Sequence, residues 1–422
     1  MRTRILSIAL VACTATMAQA EAPNTSTRPE ARPVLSTQGD LPPADSDVKG
    51  PDGFIDWVAA FRSRAAEQGI RDDVLDAAFS GVEYDPAVIK RDRNQNEFTK
   101  TVWEYLDSAA SDARIKAGKE ALAEHAELLQ RIEDHYNVDK QAVVAIWGLE
   151  SAFGTFRGSD PVIRSLATLA YDGRRGAFFE GQLIDALTIL QNGDTDAAHM
   201  RGSWAGAMGH TQFMPSSFLS LAVDWTGDGK RDIWSDDPAD ALASAANYLA
   251  ENGWTKGQPW GVEVRLPDGF DYTLADREIE KQGTDWEALG VTDMSGDPVP
   301  DHGPASLLLP GGHEGAAFMI FENFSVIESY NTADAYVIGV GHLGDRILGG
   351  PAIQAEWPRE DRALTLDERL ELQERLQDVG FDPKGLDGRI GPLTIAAVRG
   401  YQESRDMVPD GYASLRVLNA LR

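Results

Sequence analysis

Ala142-Val-Val-Ala-Ile-Trp-Gly-Leu-Glu150-Ser-Ala-Phe-Gly154 sets one carboxylate at the end of an apolar run. Val143 to Leu149 has no polar face, so this helix has to lie inside a helical body rather than on its surface. Glu150 falls near the helix C-terminus, and Gly148 and Gly154 flank it, glycine being a ready helix terminator. The helix dipole disfavours negative charge there. Ile146, Trp147 and Phe153 would desolvate the group. Both effects favour the neutral acid, the form a general acid needs at neutral pH. The alternative is an exposed helix-end Glu whose neighbours alone are buried, and this helix by itself does not exclude it.

Working outward, Phe54 to Gln68, Asp72 to Phe79 and Arg114 to Tyr136 carry apolar residues at helical spacing, and Ala239 to Leu249 reads as a further helix. After Trp254 the texture changes. Gly261 to Leu266 alternates like a half-buried strand, and Ala305 to Leu309 and Ala316 to Phe321 are short apolar runs bounded by Pro and Gly. A helix from Ala333 to Leu348 follows. The expectation is a mainly α protein with a small α+β lobe. Residues 351–362 read as a linker. Residues 363–422 read as a separate small unit with its own apolar stripe, Leu370, Leu372 and Leu376.

The N-terminus has a basic start, an apolar run from Ile5 to Cys13 and Ala18-Gln-Ala20, the order of a secretory signal over residues 1–20. Residues 21–50, rich in Pro, Thr, Ser and Ala, read as a disordered tether. Cys13 is the one cysteine, so the mature chain has no internal disulfide. Leu10-Val-Ala-Cys13 also resembles a lipobox. Cleavage after Ala20 gives a soluble periplasmic protein and lipidation at Cys13 an anchored one; the short apolar core favours the former. Lys and Arg number 39 against 67 Asp and Glu, a net charge of −28. That field repels nucleic acid and anionic membranes and suits a neutral or mixed-charge polymer such as a polysaccharide.

Two further segments carry polar groups on close-packing backbone. In Arg201-Gly-Ser-Trp-Ala-Gly-Ala-Met-Gly-His-Thr-Gln-Phe-Met-Pro-Ser-Ser-Phe218, the side chains of Ser203, His210, Gln212 and Ser216 can hydrogen-bond sugar hydroxyls. In Tyr330-Asn-Thr-Ala-Asp-Ala-Tyr336, Tyr and Asn can stack on a sugar face and donate to an N-acetyl carbonyl. The plain alternatives are a Gly-rich turn and a helix N-cap at Asn331. Asp224-Trp-Thr-Gly-Asp-Gly-Lys-Arg-Asp232 follows the opening of an EF-hand loop, with Ser235 rather than Glu at position twelve. The alternative is an Asp/Gly turn that binds nothing.

From Phe54 to Leu348 these segments, in this order, resemble the membrane-bound lytic murein transglycosylase B family. The resemblance implies a lysozyme-like helical catalytic domain over residues 51–350, with Glu150 as the sole catalytic acid and base. Ser203, Gln212, Tyr248, Tyr330, Asn331 and Tyr336 match cleft residues, and Arg174 and Arg175 match an Arg pair expected to meet the peptide stem or sugar substituents. His210 stands where the family frequently has Tyr. A structural Ca2+ is implied on Asp224, Thr226, Asp228, the Lys230 carbonyl and, closing a longer loop, Asp240; no cofactor is implied for catalysis. Leu370 to Leu376, Gly380-Phe-Asp, Asp387-Gly-Arg-Ile-Gly391 and Tyr401-Gln402 resemble the peptidoglycan-binding domain, a three-helix module whose Leu370, Leu376, Val398 and Leu418 are expected in its core.

An ordinary glycosidase uses two carboxylates, and no second acid occupies a fixed motif position here. The resemblance supplies the reason. Glu150 protonates the glycosidic oxygen between N-acetylmuramic acid and N-acetylglucosamine, and the muramic acid 6-hydroxyl then attacks its own C1, giving a 1,6-anhydro end. Two other readings stay open: a catalytically silent scaffold that binds peptidoglycan, and a muramidase that uses water. A monomer acting on glycan strands, without nucleic acid, is the expected state.

Overall fold

The computed structural model describes residues 50–93 and 100–422. The expected signal peptide, Cys13 and the tether up to residue 49 lie outside the described residues. Among those described, no helix is long and apolar enough to cross a membrane.

Two helical cores lie side by side. The first is built around helix Lys140–Ser151, in which Ala142 through Gly148 are all buried. Val143, Val144 and Ile146 have no exposed surface, and each such burial contributes roughly 1.5–3 kcal/mol. Helices Val102–Ala109, Asp112–Glu124, Ala126–Tyr136, Ala239–Glu251, Glu322–Tyr330 and Asp334–Ile347 pack around it. The second core gathers Phe54–Glu67, Asp72–Ala78, Pro86–Arg93, Val162–Asp172, Gly176–Asn192 and Pro215–Leu221. Tyr330 packs against both cores and so marks their seam.

The single helix expected over Arg114 to Tyr136 is two. His125 leaves helical geometry at φ −104° and ψ 23° between Asp112–Glu124 and Ala126–Tyr136. Its ring turns edge-on to Trp147, with centroids 5.4 Å apart. The apolar spacing continues through the break, so periodicity alone does not reveal it. The three strands expected from alternation and from short apolar runs fall where expected, and Thr292–Asp293 adds a short fourth that was not. Gly261–Arg265 and Ala317–Ile320 pair at the centre of a four-stranded antiparallel sheet, flanked by Thr292–Asp293 and Ser306–Leu308. Trp286 is wholly buried in the small core against this sheet and donates to the Ala305 carbonyl at 2.9 Å.

The segment after the helical body has no regular structure, yet it is bound to the body. The Gln354 and Ala355 amides donate to the Glu263 carboxylate, Trp357 packs on Trp103 at 5.8 Å, and Arg359 pairs with Asp107 at 2.8 Å. Helices Leu366–Asp378, Pro392–Ser404 and Leu415–Leu421 then form the C-terminal unit. Leu376, Val398 and Leu418 are buried in its core. Leu370 is only part-buried, lying at the edge against Gly388, and Leu372 takes the interior position. This unit is seated on the sheet lobe through Asp410, whose carboxylate accepts from the His313 amide at 3.0 Å, His313 Nδ1 at 2.6 Å, Gln402 Nε2 at 2.6 Å and the Tyr412 amide at 3.0 Å. Arg399 adds a pair with Asp276 and a bond to the Ala275 carbonyl, and Arg416 pairs with Glu314.

Candidate active site

Glu150 is the penultimate residue of the buried helix and is half-buried at the seam. The helix stops abruptly: Ala152 and Phe153 both adopt left-handed backbone, at φ 49° and 57°, and their amides return to the Gly148 and Trp147 carbonyls. Two consecutive non-glycine residues in that region store strain, a pattern that clusters at functional sites. The turn sends the chain away directly after Glu150 and leaves its carboxyl at the helix end. Tyr336, buried in helix Asp334–Ile347, donates its hydroxyl to Glu150 Oε1 at 2.5 Å. Burial and then the Glu150 charge push the Tyr336 and Tyr330 hydroxyls well above the ordinary tyrosine value, so both remain neutral donors.

The Gly-rich segment forms the opposite side of the seam. Met208 and Phe213 exchange backbone hydrogen bonds and sit in the second core. Between them Gln212 takes φ 51°, and its Nε2 donates to the Gly209 carbonyl at 2.8 Å and the Arg157 carbonyl at 3.1 Å. Tyr330 donates to the Thr211 carbonyl at 2.6 Å, which joins this segment to the helix end leading to Tyr336. Tyr248 donates to the Ser329 carbonyl at 2.5 Å, and the Phe213, Tyr248 and Tyr330 rings cluster with centroids 4.7–5.9 Å apart. Ser203 Oγ accepts from the Ala207 amide at 3.1 Å. Asn331 is exposed; its Oδ1 accepts from the Ala333 amide at 3.0 Å. The N-cap of the following helix is Ala333 rather than Asn331.

Several expected contacts point elsewhere. His210 is 3% exposed, with both ring nitrogens engaged inside the protein, so it does not present its side chain to a sugar. Ser216 accepts from Gln182 on helix Gly176–Asn192. Arg174 and Arg175 turn onto Asp92, which is 3% exposed, at 3.2 and 3.9 Å, and Arg175 also lies over the Phe179 ring at 4.7 Å. Thr211 was not among the sequence candidates. It acts through a backbone carbonyl, which leaves no side-chain signal.

The Asp224 loop closes on its own amides. Asp224 accepts from the amides of Gly227, Asp228 and Gly229, and Asp228 from that of Lys230. Asp240 accepts from the amides of Trp225, Thr226 and Asp232. Asp240 therefore reaches back over the start of the loop, where the closing ligand was expected. An all-oxygen donor set of Asp224, Thr226, Asp228, Lys230 carbonyl and Asp240 suits calcium. Among the described residues, however, no three His, Cys, Asp or Glu side chains converge as a ready-made metal group.

Comparison with known proteins identifies the family of each unit. The family model for the transglycosylase SLT domain matches residues 53–345, and that for the putative peptidoglycan binding domain matches residues 365–421. The chain is 33% identical over 231 residues to membrane-bound lytic murein transglycosylase B of Escherichia coli (strain K12), a match covering 53% of this chain and 61% of that protein, less than two thirds of its length. Among solved structures it is similar to SltB3 from Pseudomonas aeruginosa in complex with NAG-anhNAM-pentapeptide, with 49% identity and a TM-score of 0.86, covering 88% of this chain and all of the other. It is also similar to the Escherichia coli lytic transglycosylase Slt35 in complex with calcium, with 28% identity and a TM-score of 0.59, covering 71% of this chain and 96% of the other.

Proposed function

Since the chain belongs to the transglycosylase SLT family, we propose that it cleaves the β-1,4 bond between N-acetylmuramic acid and N-acetylglucosamine and leaves 1,6-anhydromuramic ends. The observation that carries this reading is Glu150 on the last turn of a buried helix, held by Tyr336 at 2.5 Å and neighboured by Tyr330, whose hydroxyl reaches the Gln212 segment at the Thr211 carbonyl. The Glu150 carboxyl gives its proton to the glycosidic oxygen as the C1–O bond breaks. The resulting carboxylate takes the proton of the muramic acid 6-hydroxyl as that oxygen bonds to C1. Charge and atoms balance with no water consumed. Attack from within the same sugar gains from proximity. Tyr336 fixes one carboxyl oxygen, so the proton moves on a group of set orientation. Tyr248 and Tyr330 have their hydroxyls on backbone carbonyls and offer ring faces to the sugars. Gln212 has both amide protons engaged and offers its oxygen as an acceptor. Ser203 and the exposed Asn331 complete the contacts. Arg174 and Arg175 would meet the peptide stem only on leaving Asp92.

Digestion of purified sacculi tests the reaction. The expected muropeptides carry anhydro ends, each lighter by one water than its hydrolytic counterpart and resistant to borohydride reduction. Reducible ends as the only product would establish a water-using muramidase instead, and no product at all a binding scaffold.

The signal-like N-terminus supports a periplasmic setting for this reaction, where the polymer lies, and a C-terminal unit that binds the polymer would raise local enzyme concentration on it. We further propose that the Asp224 loop takes a structural Ca2+. Binding that must first draw its carboxylates together is weak, with Kd about 10⁻⁴–10⁻³ M. At 10 mM Ca2+, roughly 10–100 times Kd, the expected stabilisation is about 1.4–2.7 kcal/mol. A thermal melt should move up by several degrees and return with chelator; no change at 10 mM would leave the loop closed by its amides alone.

A further inference from the structure

We propose that His210 is a positioning residue for Glu150: held neutral, it clamps the last turn of the catalytic helix to the segment that forms the other wall of the cleft. The inference rests on the reading of Glu150 as the acid and base.

The hydrogen bonds fix its tautomer. Trp147 Nε1 approaches His210 Nδ1 at 3.1 Å. An indole N–H can only donate, so Nδ1 carries no proton. His210 Nε2 lies 2.7 Å from the Ser235 carbonyl, which can only accept, so Nε2 carries the proton and donates it. The ring is therefore a neutral bridge between helix Lys140–Ser151 and the loop ahead of helix Ala239–Glu251. The backbone of the same residue grips the same turn. Ser151, next to Glu150, donates its hydroxyl to the His210 carbonyl at 2.6 Å and accepts from the Gly154 amide at 2.9 Å. The His210 amide donates to the Ile233 carbonyl at 3.0 Å. Gly154, at φ 82°, leaves the space the imidazole fills: a Cβ there would stand 2.6 Å from Nδ1 and Cε1.

Trp147 is one helical turn before Glu150, and Ser151 directly follows it. On the other side the Thr211 carbonyl receives Tyr330, and Gln212 donates to the Gly209 and Arg157 carbonyls. One residue thus sets the spacing of both walls.

Protonation would put an N–H on Nδ1 facing the indole N–H. The groups around the ring are Arg157, 3.3 Å from Nε2, with Asp232 and Asp236 on the loop carrying Ser235. A cavity of about 380 Å³ also borders the ring, and Glu120, Glu124 and His125 line it from the opposite side. Burial holds the His210 value below the ordinary histidine value, and Arg157 lowers it further. With the folded value depressed, the clamp is complete above the ordinary histidine value and is lost as pH falls through the folded one.

The full-length chain is assayed on sacculi as His210→Ala, His210→Gln and wild type. In H210A kcat should fall about 10²-fold with KM changed less than about twofold, the signature of a misplaced acid rather than lost binding. Gln can accept from Trp147 and donate to Ser235, so H210Q should stay within about fivefold of wild type. The kcat of the wild type should show an acid-side loss below the ordinary histidine value that H210Q lacks. Ring 15N resonances of wild-type His210 should show unprotonated Nδ1 and protonated Nε2, a readout available even if H210A does not fold. Full kcat in H210A, a loss confined to KM, superimposable pH profiles for wild type and H210Q, or the opposite tautomer would each overturn the proposal. An active Glu150→Gln would instead overturn the reading of Glu150, so the two failures are distinct.

Discussion

Glu150→Gln is expected to lower the release of anhydro-muropeptides by at least about 10³-fold, since proton transfer by a positioned group contributes roughly 10²–10⁴ and here one group serves both proton steps. Gln has the shape of Glu, and its Oε1 can keep the hydrogen bond from Tyr336. The thermal midpoint should therefore stay within about 2 °C, an ordinary result for a half-buried isosteric change, and the variant should still sediment with sacculi. Loss of turnover with folding and binding retained separates chemistry from architecture. Chromatography of the muropeptides checks it, and a variant with unchanged product release would remove Glu150 from the mechanism.

The second large effect is on the opposite wall. Gly209 takes φ 70°, and a Cβ built there would stand 2.2 Å from the Ile233 carbonyl oxygen and 2.9 Å from its carbon. Backbone is met, not the end of a flexible side chain, so one of the two segments must move. The Ile233 carbonyl also receives the His210 amide, and the Gly209 carbonyl receives Gln212. Gly209→Ala thus combines left-handed strain with a backbone clash at a double junction. The expected destabilisation is on the order of 3–4 kcal/mol, a fall in thermal midpoint of about 10 °C. Calorimetry checks it. A midpoint within about 2 °C of wild type would show that the two segments yield more easily than their packing implies.

What the sequence disclosed and withheld follows from the range of the forces involved. The buried helix around Glu150 was legible because seven successive residues there have no polar face to turn outward. Of the strands after Trp254, Gly261–Arg265 was legible from alternation and Ser306–Leu308 and Ala317–Ile320 from short apolar runs bounded by Pro and Gly. The break at His125 was not, because the apolar spacing runs on through it and the ring's partner, Trp147, lies on another helix. His210 read as a sugar contact because polarity is local information, whereas its partners Trp147 and Ser235 are distant in the chain. The same holds for Arg174 and Arg175: an exposed-looking basic pair gives no hint of a buried Asp92 waiting far upstream. Of the apolar stripe of the last unit, Leu372 and Leu376 are buried and Leu370 only part-buried, since a helix pattern shows which face is apolar but not how deep each residue sits.

Asp410 divides its two carboxylate oxygens between neighbours in its own unit and His313 of the sheet lobe, while Glu263 straps down the connecting segment. On the proposed function, the unit that would hold the wall is thereby bonded directly to the body that carries Glu150. The reach from a strand held there to Glu150 would then be set by these contacts rather than by how far a slack connector can swing.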